Sequence, residues 1–271
     1  MNERVLIEID DDGVADVCLN RADKMNALDA EMFDGILAAQ ARLRDEQGLR
    51  AVVLRGAGRA FCAGLDMGRM QHMAQGSSGR DHLLAERTQG IANNPQQVAW
   101  GWRELPVPVI AAIHGVAFGG GLQVALGADL RCVASDARLS VLEMKWGLVP
   151  DMAGFPLLRE LLRGDVLREL VYTARVLDGG EAVQLGLASW VGADPLARAR
   201  ELARQIAQSS PDAVRAAKRL LNQVSDASEA ELLQRESLEQ DRLIGSPNQR
   251  EAAAAGLQKR APRFGELLPE G

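Results

Sequence analysis

Two small-residue turns and two isolated carboxylates are the features of this chain whose residue types and spacing could do chemistry. Phe61-Cys62-Ala63-Gly64-Leu65-Asp66 joins an apolar stretch to a turn, and His114-Gly115-Val116-Ala117-Phe118-Gly119-Gly120-Gly121-Leu122-Gln123 does so again. Such turns leave backbone N–H groups bare toward a ligand. Two of them facing each other would cradle one oxygen that gains negative charge during a reaction. Gly119, Gly120 and Gly121 lead into a short helix expected to run to about Ala128, whose free N–H groups and partial positive charge suit the same oxygen. Alone, a glycine triplet signals only a tight turn. No Gly-Lys-Ser/Thr follows it, and the dinucleotide-binding glycine pattern is not met.

Glu143 stands between Leu142 and Met144. Desolvation there should raise its pKa, which suits a group that gains and loses a proton. Asp151 ends Gly147-Leu148-Val149-Pro150-Asp151, where it can cap a helix over 152–162. Gln123 can hydrogen-bond a water, but an amide cannot take or give a proton near neutral pH.

These groups need elements to hold them. Val5-Leu6-Ile7-Glu8-Ile9 and Val14-Ala15-Asp16-Val17-Cys18-Leu19 flank Asp11-Asp12-Gly13 and read as a hairpin. Asp29 can cap a helix carrying Phe33, Ile36, Leu37, Ala41 and Leu43 at helical spacing. Ala51-Val52-Val53-Leu54-Arg55 is a buried strand that feeds the first turn, and Pro108-Val109-Ile110-Ala111-Ala112-Ile113 feeds the second. Strand, helix, strand, repeated, predicts stacked β/β/α units. Residues 67–96, with Met67, Met70, Met73, Ser77, Ser78 and Asn93-Asn94-Pro95, form either a plain loop or a flexible lid over an apolar ligand, since Met adapts to varied shapes. From about residue 196 the composition turns helical. Pro211 sits at the permitted first turn of one helix, and further amphipathic runs cover 229–244 and 249–259.

The composition excludes several classes. With 271 residues, 47% apolar and 25% charged, the chain is an ordinary globular one of one large core plus an appendage. A net charge of −6 and a pI near 5.3 argue against broad nucleic-acid or anionic-membrane binding. Cys18, Cys62 and Cys132 are odd in number and set in apolar runs, so buried thiols in a reducing cytoplasm are expected. No secretory signal or membrane-spanning run is visible. His72, His82 and His114 lack ligand spacing, so no metal is expected. Trp100, Trp102, Trp146 and Trp190 are expected as packing groups.

The pair of turns resembles the crotonase superfamily, the enoyl-CoA hydratase/isomerase family, over nearly the whole chain. Asn20-Arg21-Ala22-Asp23-Lys24-Met25-Asn26-Ala27-Leu28 is similar to its N-terminal motif, with Ala22 where Pro is common, and Gln258-Lys259-Arg260-Ala261-Pro262-Arg263-Phe264 to its C-terminal one. The resemblance implies an α/β fold: a ClpP-like crotonase spiral over 1–195 carrying an acyl-CoA site, then a C-terminal helical oligomerisation region over 196–271. It implies homotrimers or homohexamers, and no cofactor beyond the coenzyme A of the substrate. The N–H groups of Leu65 and Gly120 become the oxyanion donors. Ala63, Gly64, Asp66 and Met67 would line the CoA arm, although Asp66 is equally a turn-forming residue. Lys24 and Lys259 would meet CoA phosphate and nucleotide, or else are solvated lysines.

In the family's hydratases two glutamates flank the substrate. Here the first of those positions is Gln123, which can still bind the substrate by hydrogen-bonding a water or the thioester, and the second is Glu143. The departure at Gln123 puts hydration in doubt. The spacing of Glu143 and Asp151 is similar to that of the dienoyl-CoA isomerases, where one carboxylate takes a proton from the acyl chain and the other returns one further along. Asp151 is thus either a proton shuttle or a helix cap. Double-bond isomerisation on an acyl-CoA is the expectation. Hydration of a 2-enoyl-CoA, with Gln123 orienting water, and non-catalytic acyl-CoA binding stand as the alternatives.

Overall fold

The computed structural model describes residues 3–75 and 84–268. The strands are β1 (Val5–Ile9), β2 (Val14–Leu19), β3 (Ala51–Gly56), β4 (Val109–Ile113), β5 (Val116–Phe118), β6 (Leu130–Ala134), β7 (Arg138–Ser140), β8 (Leu177–Asp178) and β9 (Trp190–Gly192). The helices are α1 (Ala30–Arg44), α2 (Met67–Ala74), α3 (Asn94–Glu104), α4 (Gly120–Leu126), α5 (Gly154–Leu158), α6 (Gly164–Thr173), α7 (Gly179–Gln184), α8 (Pro195–Ala207), α9 (Pro211–Leu221), α10 (Glu229–Leu243) and α11 (Pro247–Gln258).

β1 and β2 make the expected antiparallel hairpin; β2, β3, β4, β6 and β9 then run parallel in a six-stranded sheet. β5, β7 and β8 form a second, three-stranded sheet. Parallel strands are covered on both faces, which is why β3 and β4 read as unbroken apolar runs. Alternate residues divide between two cores. Val52, Leu54, Val109, Ala111 and Ile113 join the larger one with Met32, Phe33 and Ile36 of α1 and Trp102 of α3. Ala51, Val53, Ile110 and Ala112 face the other way, onto Ala199 and Ala203 of α8. α8 therefore closes the sheet's second face as part of the core, beyond the 195/196 division suggested by composition. Asp29 caps α1 as expected, accepting from the Met32 N–H at 2.8 Å.

The last helices are fastened by a few buried polar groups. Lys218 of α9 is buried and donates to the carbonyls of Val107 (2.8 Å) and Trp102 (3.3 Å) and to Asp129 (2.8 Å). Asp212 accepts from Asn248 Nδ2 at 2.7 Å and the Leu268 N–H at 2.8 Å, which ties α11 and the tail to α9. By contrast, α10 buries no residue, and Leu233, Leu238 and Ile244 beside it are 63%, 57% and 64% exposed. Cys18, Cys62 and Cys132 are buried free thiols. Trp102 is fully buried and Trp100 and Trp190 pack at core edges, whereas Trp146 is 44% exposed. Among the described residues no helix is long and apolar enough to cross a membrane.

Candidate active site

The first turn is strapped down from one side. Ala63 N–H donates to the Met25 carbonyl (2.9 Å), Leu28 N–H to Gly64 (2.8 Å) and Asp66 N–H to Leu28 (3.1 Å). Leu65 sits between these straps, and its own N–H makes no hydrogen bond among the described residues. Asn26 organises the approach to this turn. It is buried in the left-handed region at φ 55°, accepts from the Arg21 N–H at 2.8 Å, and points its amide nitrogen at the carbonyls of Ala57, Ala60 and Phe61 at 2.8–3.1 Å. Asn tolerates αL better than most residues, which is the one signal in the sequence for this role.

The second turn lies directly against the first. Cys62 N–H donates to Val116 at 3.0 Å and Phe118 N–H returns to Cys62 at 3.1 Å. A Cβ on Gly64, whose φ is 91°, would stand 2.5 Å from the Phe118 carbonyl and 3.7 Å from the Gly120 nitrogen. Only glycine fits there, and the space it leaves lies between the two turns. Gly120 opens α4, so its N–H has no intrahelical partner, and it makes no other bond among the described residues. Two N–H groups without a protein partner among the described residues, one from each turn, thus lie beside Gly64.

Glu143 and Gln123 are buried beside that place, 8% and 1% exposed. Gln123 Nε2 donates to Glu143 Oε1 at 2.6 Å, and Gln123 Oε1 accepts from the Met152 N–H at 2.9 Å. Burial is the main cause that pushes the Glu143 carboxyl above the ordinary range; the Asp151 charge adds to this, while backbone and Gln123 hydrogen bonds oppose it. Asp151 opens on solvent at its surface but is hemmed in by protein, and desolvation raises it as well. It does not cap a helix. α5 spans only Gly154–Leu158, its N-cap position is Ala153 at φ 62°, and no side chain caps it. The left-handed Ala153 holds Asp151 off the helix axis. This removes the capping alternative, and the Asp151 charge is felt at Glu143.

Asp66 is engaged by protein at both oxygens. Oδ2 pairs with Arg21 at 2.7 Å and Oδ1 accepts from the Gly68 N–H at 2.8 Å, so it caps α2; Arg21 holds its carboxyl below the usual range. Arg21, passed over on sequence, ties the N-terminal motif to the first turn. Met67 starts α2 and is 56% exposed. The lid expected over 67–96 falls partly on 76–83, outside the described residues. Lys24 is exposed on a 3₁₀ turn (Ala22–Lys24), adjoining Met25, which straps Ala63. Lys259 ends α11. Ala261, Pro262 and Phe264, just beyond it, line a cavity of about 770 Å³ with Asp10–Gly13, at the opposite end of β2 from Lys24. The structure therefore does not bring Lys259 to this chain's own pair of turns. Among the described residues, no cluster of His, Cys, Asp or Glu could hold a metal.

Two small-residue turns pressed together, with a buried carboxylate beside them on a two-sheet spiral, are the features that a relative has to match. The enoyl-CoA hydratase/isomerase family model matches residues 10–267, and the chain belongs to that family. It is 33% identical over 259 residues to the bovine mitochondrial enoyl-CoA hydratase domain-containing protein 2, covering 93% of this chain and 84% of that one. It is 31% identical over 265 residues to mouse mitochondrial methylglutaconyl-CoA hydratase, covering 95% and 81%. The crystal structure of enoyl-CoA hydratase from Bacillus anthracis superposes with a TM-score of 0.87 at 28% identity, covering 96% of this chain and 98% of that chain.

A carboxyl raised by burial becomes a base only at higher pH than usual. The acid limb of kcat/KM is therefore expected above the ordinary glutamate range near 4.3, as a pH profile at fixed ionic strength will read.

Proposed function

We propose that the protein moves a double bond in an acyl-CoA by proton transfer through a thioester enolate. The thioester oxygen would sit between the Leu65 and Gly120 N–H groups, which favour the enolate over the neutral carbonyl. Glu143 would take a proton from the acyl chain as the electron pair moves toward that oxygen. The proton returns to a carbon further along, from Glu143 or from Asp151, and the double bond has moved with no net change in atoms. No cofactor is needed beyond the substrate's own coenzyme A. Lys24, exposed beside the first turn, would meet a CoA phosphate.

The observation that carries this reading is the identity of the buried pair. Among the described residues Glu143 is the one buried carboxylate at the turns, and its partner Gln123 is an amide committed at both ends to protein. Hydration needs one group to activate water and another to protonate carbon. The hydratase names of the relatives favour that second reading. A spectrophotometric screen of 2-enoyl-, 3-enoyl- and 3,5-dienoyl-CoA esters separates the two. Isomerisation should exceed hydration; rapid hydration of crotonyl-CoA with no isomerisation would overturn the assignment. Gln123→Glu should raise hydration by roughly 10-fold or more, because it restores a base.

The exposed apolar side chains of α10 support assembly into trimers, or hexamers as dimers of trimers. Light scattering at micromolar concentration should find no monodisperse monomer. In such an assembly Lys259 would serve a neighbouring copy rather than its own chain. The buried free thiols are consistent with a reducing compartment such as the cytoplasm.

A further inference from the structure

Gln123 occupies a position that the proposed reaction does not itself use, yet it is among the most tightly held side chains at the site. Its Nε2 donates to Glu143 Oε1 at 2.6 Å and its Oε1 accepts from the Met152 N–H at 2.9 Å. The packing leaves room for this amide at two further positions. A Cβ on Gly154 would lie 2.7 Å from Gln123 Oε1, and one on Gly119 would lie 3.2 Å from Glu143 Oε1. Glycine at both positions lets the amide and the carboxylate sit against the start of α4. The other Glu143 oxygen, Oε2, is buried and has no hydrogen-bond partner among the described residues. A buried carboxylate oxygen without a donor is costly while charged, and gaining a proton there removes that charge.

The structure assigns Gln123 as a positioning residue: its amide clamps Glu143 to the turn at Asp151–Ala153 and leaves Oε2 as the single oxygen that carries the proton. Several consequences follow from the geometry. With Oε1 withdrawn, Glu143 presents one oxygen to the acyl chain in a fixed orientation. With the Met152 N–H held by the same amide, Asp151 is set relative to that oxygen, on a turn that Ala153 keeps in the left-handed region. With both ends of Gln123 engaged, little remains to orient an attacking water, which favours isomerisation over hydration. The assignment rests on Glu143 as proton carrier.

The charged surroundings are few. Asp151 is the neighbouring charge that acts on Glu143. Lys145 lies on Glu143's own 3₁₀ turn and is exposed. On α6, which packs against that turn, Asp165, Arg168 and Glu169 are exposed and engaged by Arg163, the Gly164 carbonyl and Arg175. α4 and α5 carry no charged residue. A shift in the Glu143 titration on changing Gln123 is therefore attributable to the lost clamp, either through the hydrogen bond to Glu143 or through the Asp151 turn that the same amide holds.

The test is the pH dependence of kcat and KM for isomerisation in Gln123→Met and Gln123→Glu, with Glu143→Gln alongside. Gln123→Met has similar length but no donor or acceptor. It should lower kcat about 10-fold, leave KM little changed, and move the acid limb upward by roughly one pH unit, since a donor that favours the charged form is gone. Gln123→Glu should retain isomerisation at low pH, where the introduced carboxyl still donates to Glu143. It should lose it along a new alkaline limb as the shared proton leaves. Unmoved limbs and unchanged kcat in a folded Gln123→Met, with Glu143→Gln inactive, would overturn the clamp and spare the proton carrier. Activity persisting in Glu143→Gln would instead remove the proton carrier. Should Gln123→Met fail to fold by circular dichroism, the absence of an alkaline limb in Gln123→Glu would by itself overturn the assignment.

Discussion

Replacing Glu143 by Gln is expected to lower isomerase turnover by about 10³-fold or more, within the range that a positioned acid–base group supplies. The substitution keeps the side chain's shape and still offers an oxygen to Gln123 Nε2, so substrate binding and the α4 contact should persist. What it removes is the proposed proton carrier. The same change has a predictable effect on stability. Burial raises the Glu143 pKa in the folded chain, so folding favours its protonated form. The charged form is destabilising, and that cost appears as pH rises through the folded-state pKa. Glu143→Gln should therefore melt no lower than wild type near neutral pH, and the difference should shrink as the pH falls toward the unfolded glutamate range. A variant that is inactive and fully stable separates chemistry from folding. A variant that retains turnover would exclude Glu143 as the proton carrier.

Gly120→Pro should reduce turnover by ~100-fold or more, as loss of one oxyanion donor does. Gly120 is the first residue of α4, where proline is tolerated because its missing N–H has no intrahelical partner. The helix should persist while the donor is lost. An added ring meets Met152 Sδ and Leu28 Cδ1, since a Cβ alone would lie 2.9 and 3.1 Å from them. Gly120→Ala carries the same Cβ and keeps the N–H, so it isolates the steric part. The expected order of turnover is wild type, then the alanine variant, then the proline variant far below, with similar melting temperatures by circular dichroism. Equal turnover of the two variants would mean that the Gly120 N–H is not an oxyanion donor.

Several parts of this molecule were legible in the residues alone because their determinants are local. The Asp11-Asp12-Gly13 turn, the apolar runs of β3 and β4, the Asp29 cap of α1 and the proline start of α9 each depend on neighbours in the chain, and each is where the residues place it. The two small-residue turns were legible for the same reason. Their meeting was not derivable from either alone; it was expected through the family resemblance, and the backbone hydrogen bonds of Cys62 to Val116 and of Phe118 to Cys62 realise it.

Other features depend on contacts between distant segments. Asp151 looked equally able to cap a helix, and the left-handed Ala153 decides otherwise by starting α5 two residues further on. Asp66, read as a CoA-lining residue or a turn former, is claimed by Arg21, which lies 45 residues earlier. α8 looked like part of a helical appendage, yet Ala199 and Ala203 complete the sheet's second core. The commitment of Gln123 to Glu143 and Met152 spans 20 and 29 residues and joins three elements. Which elements form, and which residue types can bear a charge or a proton, was readable along the chain, because propensity, capping and glycine geometry act within a few residues. Which oxygens and N–H groups remain free was set by packing, because a hydrogen bond between remote side chains exists only once they have been brought within about 3 Å.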